Sequence, residues 1–229
     1  MTAPVRLFAA AALALAAALP ARAAIDITPV TSPGGIDAWM VEEHSIPMVA
    51  LELRFEGGAS LDAEGKRGAI NLMTALLEEG AGDMDAQEFS IAAESLAARF
   101  DFDVGPDALS VSAQFLSENA DAALELLRLA LTEPRFDEDA IERVRGQVLS
   151  GIASDAKDPD AIATDRFNAL AFPDHPYGSA IEGTAESVAA LTRDDLIAAK
   201  DRVVTRDRVH VSAVGDIDAE GLGAILDDL

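Results

Sequence analysis

The sequence predicts an α+β fold, a two-layer domain in which an antiparallel or mixed sheet packs on helices. Three observations predict it. Residues 49–55 and 100–115 alternate apolar and polar side chains, the period of strands with one buried face. Residues 118–201 instead carry apolar residues at helical spacing, punctuated by Pro134, Pro159 and Pro173. The overall order is strands, helices, a hairpin, a helical block, one strand and a helix. A parallel doubly wound sheet would alternate strand and helix throughout.

Residues 24–37 read as an extended lead-in with a turn at Ser32-Pro33-Gly34-Gly35. Ala38 to Glu43 is a short strand, interrupted by Ser45-Ile46-Pro47. In the next strand Val49, Leu51, Leu53 and Phe55 point one way, and Ala50, Glu52 and Arg54 the other. Gly57-Gly58-Ala59-Ser60 ends it. Gly68 to Gly80 reads as one buried helix, because Ile70, Leu72, Met73, Leu76 and Leu77 leave it little polar face. Asp85-Ala86-Gln87-Glu88 has the form of a capping box and starts a helix to about Ala98. Phe100–Val104 and Leu109–Phe115 form a hairpin about Gly105-Pro106-Asp107.

Three helices follow. One covers Glu118–Leu131. The next covers Glu138–Ala153, with Asp137 as N-cap and Ile141, Val144, Val148 and Ile152 on its buried stripe. The third starts at Asp158-Pro159 and ends near Phe172. Thr192-Arg193-Asp194-Asp195 caps another helix, to about Asp201. Arg208–Val214 is the last strand, with Val209, Val211 and Ala213 inward, and a helix begins after Asp216.

Half of the 229 residues are hydrophobic, enough for one substantial core. The net charge is −24, which repels phosphate backbones and argues against nucleic-acid binding. The acidic residues are interleaved with apolar ones, as on the solvated faces of a folded domain. There is no Cys, so disulfides, thiolate nucleophiles and thiolate metal sites are excluded. Arg6, the apolar run Leu7–Leu19, Pro20 and Ala21-Arg22-Ala23 compose a secretory signal peptide over 1–23, with cleavage before Ala24. A membrane anchor is the alternative, but the run is short for a span. No later stretch is long and apolar enough to cross a membrane.

Asn71, Thr74 and Ala75 stand at i, i+3 and i+4 on the 68–80 helix and share one side of it. That is the frame of an H-x-x-E-H zinc helix, in which two His bind the metal and a Glu activates water. Here none of the three positions carries such a group.

Several segments together resemble the insulinase, pitrilysin and mitochondrial processing peptidase family of zinc metallopeptidases, the inverzincins. The strand 49–55 runs through Phe55-Glu56-Gly57-Gly58-Ala59-Ser60 into the 68–80 helix. Glu142-Arg143 lies on a long helix before Asp158-Pro159. Ala171-Phe172-Pro173-Asp174-His175-Pro176-Tyr177-Gly178 precedes Gly183-Thr184 and Ala190–Leu196. Val211-Ser212-Ala213-Val214-Gly215-Asp216 closes the series, and the resemblance covers residues 25–229.

The resemblance implies the fold of that family's N-terminal domain over 24–229, with the family's second homologous domain missing. Carried over, the first zinc His falls on Asn71, the catalytic Glu on Thr74 and the second zinc His on Ala75. The third ligand, a Glu, falls within Gln147, Val148, Leu149, Ser150 and Gly151, and no carboxylate occurs between Arg143 and Ser154. Asn is a weak donor, Ala donates nothing, and Thr cannot take a proton from water near neutral pH.

The implied protein is therefore a non-catalytic subunit of a bacterial periplasmic zinc peptidase. It would form a heterodimer with a catalytic homologue that holds the zinc, and help to enclose peptide substrates. No cofactor is expected in this chain. Two alternatives stay open: a stand-alone peptide- or protein-binding scaffold, and an active zinc peptidase with ligands supplied from outside this segment.

The stretch Arg99–Val104 resembles the family's edge strand, to which a peptide adds by backbone bonds. That makes Arg99, Asp101 and Asp103 candidate substrate-binding residues, although Asp101 and Asp103 equally suit charges that protect an edge. Asn71 and Thr74 suit either a residual polar pocket or a structural hydrogen bond. His44, His175 and His210 are not at ligand spacing and read as loop and surface residues, and Tyr177 as packing its loop onto the sheet.

Overall fold

The computed structural model describes residues 26–228. The leader expected over 1–23 and its cleavage site lie outside the described residues. In chain order the elements are β1 (Thr28–Thr31), β2 (Asp37–Glu42), β3 (Met48–Glu56), α1 (Ala69–Thr74), β4 (Gly80–Ala81), β5 (Met84–Asp85), α2 (Ala86–Ser95), β6 (Arg99–Val104) and β7 (Ala108–Leu116). There follow α3 (Ala120–Thr132), α4 (Glu138–Asp155), α5 (Pro159–Ala171), α6 (Ala185–Ala189), α7 (Arg193–Val203), β8 (Val209–Gly215) and α8 (Ala219–Asp228).

Six strands form one sheet in the order β1-β2-β8-β3-β7-β6. Only β2 and β8 run parallel; the other neighbours are antiparallel, so the sheet is mixed. On β3, Leu51 lies opposite Ala113 and Ala213, and Leu53 opposite Val111 and Val211. These inward residues join Leu72, Leu76, Leu127, Leu196 and Leu222 from the helices in one apolar core. The other face carries Ala50, Glu52 and Arg54, opposite Gln114, Ser112 and Ser110 on β7 and Val214, Ser212 and His210 on β8. All nine are exposed or half-buried, so the helices cover one face and leave the other open. This is the predicted two-layer α+β domain.

The helix expected over 68–80 is shorter than its sequence suggests. α1 ends at Thr74, and the amides of Leu76 and Leu77 then bond the carbonyls of Met73 and Thr74 at 3.0 and 3.2 Å. This tighter i→i−3 winding carries both adjacent leucines wholly into the core. Gly80, at φ 110°, then turns the chain into β4.

The lead-in expected over 24–37 contains a strand, β1, paired with β2 across the Ser32–Gly35 turn. Its only buried residue is Val30, which leaves the alternation too short to read. α2 stops at Ser95 rather than near Ala98, because Ala97 adopts φ 50° as the chain reverses into β6. The β4–β5 pair and α6 were not expected from the sequence. On α4, Ile141 and Val144 are buried, but Val148 and Ile152 are only half-buried, because its last turns project beyond the core.

Candidate functional site

The loop after β3 and the 173–195 segment converge on the start of α1. Gly68 precedes the helix at φ 93°, and a Cβ there would stand 2.3 Å from the carbonyl oxygen of Glu182. Gly183, at φ 85°, faces the Arg67 carbonyl as closely, at 2.4 Å, so both crossing strands of chain need glycine. Asp62 reaches from the preceding loop and accepts from the amides of Gly68 and Ile70 at 2.8 and 2.9 Å, satisfying the helix's first donors. Burial pushes the Asp62 carboxyl up, against these amide bonds and the Arg67 charge, which hold it down.

Arg67 donates to the carbonyls of Ala180, Ser179 and Pro176 at 2.9, 3.0 and 3.1 Å, and also to that of Ala59. It thereby clamps the 173–183 loop to the head of α1. The Ser187 hydroxyl donates to the Arg67 carbonyl at 2.8 Å, and Lys66 pairs with Asp195 of the α7 capping box at 2.8 Å. Tyr177 donates to Asp107 in the β6–β7 turn, which packs this loop onto the sheet.

On α1 itself, Thr74 is buried and its hydroxyl donates to the Ile70 carbonyl at 2.8 Å, an internal structural bond. Asn71 is half-buried and its amide makes no hydrogen bond to the described residues; Ala75 is exposed. On α4, Gln147, Ser150 and Gly151 are exposed, and Val148 and Leu149 half-buried. Arg143 of α4 forms a two-pronged ion pair with Glu79 at 2.8 and 2.6 Å, tying that helix to the turn after α1. Among the described residues no group of three or more His, Cys, Asp or Glu could hold a metal ion. The residues at the expected zinc positions do not fit zinc: one neutral amide is the only side-chain donor left free there.

β6 forms one edge of the six-stranded sheet. Arg99, Asp101 and Asp103 are exposed on its outward face, opposite Gln114, Ser112 and Ser110. α1 packs against this strand. Just beyond α1, partial desolvation raises the Glu78 carboxyl, and the charges of Glu79 and Asp101 raise it further. α1 thus adjoins an acidic edge. His44 and His210 pair with Asp216 and Glu56 at 2.7 and 2.8 Å on the surface, and His175 stacks edge-on against Tyr177. The roles of Asp62 and Arg67 were not read from the sequence. Asp62 lies six positions before Gly68, outside any capping spacing, so its partners are known only once the loop is folded.

The profile of the insulinase family (peptidase family M16) matches residues 39–185. A protein of Helicobacter pylori described as the non-peptidase homolog YmxG is 30% identical over 176 residues, 77% of this chain and 41% of that protein. An uncharacterized zinc protease of Mycobacterium leprae is 27% identical over 198 residues, 86% of this chain and 44% of that protein. This chain therefore spans less than half the length of either relative. Among solved structures, the inactive M16 peptidase domain from Pseudomonas fluorescens superposes with a TM-score of 0.83 at 27% identity, over 88% of this chain and 49% of that one.

Proposed function

Because this chain belongs to the insulinase family of peptidases and carries Asn71, Thr74 and Ala75 in place of H-x-x-E-H, we propose that it is the non-catalytic subunit of a paired zinc peptidase in the bacterial periplasm. A catalytic homologue supplies the zinc and the general base, and this chain helps to enclose the peptide substrate. Residues 24–229 are its peptidase-like domain, released from the leader at 1–23, and a second homologous domain completes the assembly.

One observation carries the reading: the scaffold that positions a zinc helix is intact, while the helix has no donor set. Asp62 and Arg67 still hold the head of α1 against the 173–183 loop, yet Thr74 is committed to a backbone carbonyl. Such a domain supplies walls and edges but no metal chemistry. The open sheet face and the free edge of β6, with Arg99, Asp101 and Asp103, support contact with extended peptides. The same edge favours a second reading, a stand-alone peptide-binding scaffold.

The test is a native pull-down of the mature protein from the organism that encodes it, with co-purifying chains sequenced. Recovery of a homologue bearing H-x-x-E-H near one to one, with zinc-dependent peptide cleavage only in the mixture, is expected. Recovery of the chain alone, still binding unstructured peptides, would favour the scaffold. Stoichiometric zinc and peptide cleavage by the isolated chain would sink both readings.

A further inference from the structure

We draw no further inference here: the strongest candidate, the apolar cavity of about 240 Å³ between the sheet, α3 and α8, lined by Leu53, Phe55, Leu131, Val211 and Leu226, carries nothing, because it borders the last described turn of α8 and nothing in the structure shows what covers it.

Discussion

Thr74 condenses the chemistry of this domain into one residue. It is only 3% exposed and its hydroxyl is bonded inside the helix, so the position has become part of the core. Asn71→His/Thr74→Glu/Ala75→His is therefore expected to lose stability, on the order of 3 kcal/mol from burying the new carboxylate. It is also expected to bind zinc far more weakly than a stoichiometric site, because residues 147–151 offer no third ligand. Urea denaturation and zinc titration calorimetry check the two outcomes. Glu78 gives a pH prediction. Its carboxyl is raised in the folded state, so its charge opposes folding above that raised value and has no effect in acid, where it is protonated in both states. Glu78→Gln should raise the urea midpoint at about pH 8, with the gain vanishing near about pH 3.5. A gain of the same size at both pH values would remove titration as the cause. The identities of Asn71, Thr74 and Ala75 at i, i+3 and i+4 were legible in the sequence, because residue identity at a fixed spacing needs no tertiary information. The raised Glu78 was not, because Asp101 comes to it from a strand 23 positions away.

Among the elements, Arg67 ties three pieces together: the turn after β3, the head of α1 and the 173–183 loop. Arg67→Ala leaves the carbonyls of Pro176, Ser179 and Ala180 without this donor and is expected to cost about 3 kcal/mol. Limited proteolysis should then cut first within 173–183. Arg67→Lys should rescue little, because one ammonium cannot span carbonyls arranged for a planar fork. Rescue to wild-type stability would mean that charge, not fork geometry, holds the loop. The strands β3, β6, β7 and β8 were legible because each alternates over six or more residues with one face buried. The end of α1 was not, since Leu76 and Leu77 fit a regular helix as well as a tightened turn. The exposure of Phe167 and Leu170 on α5 was likewise hidden, as their i, i+3 spacing does not say which side the domain covers.

At the scale of the whole molecule, charge and topology set the behaviour. With a net charge of −24, repulsion among exposed carboxylates opposes the compact state. Raising sodium chloride from about 0.01 to about 0.5 M is expected to raise the melting temperature by screening that repulsion. A fall in calorimetry would instead show that ion pairs such as Glu79–Arg143 outweigh it. The sequence by itself determined the α+β class, the capping boxes at Asp85 and Thr192, and the absence of His and Glu from positions 71, 74 and 75. Each of these is local: a side-chain period, a three-residue spacing, or the identity of a residue. Only the tertiary structure decided that β8 runs parallel to β2 between it and β3, that α1 is clamped from residues more than 100 positions away, and that Phe167 and Leu170 of α5 face solvent. Those outcomes depend on which distant surfaces meet, because a period in the chain specifies a face and not its neighbour.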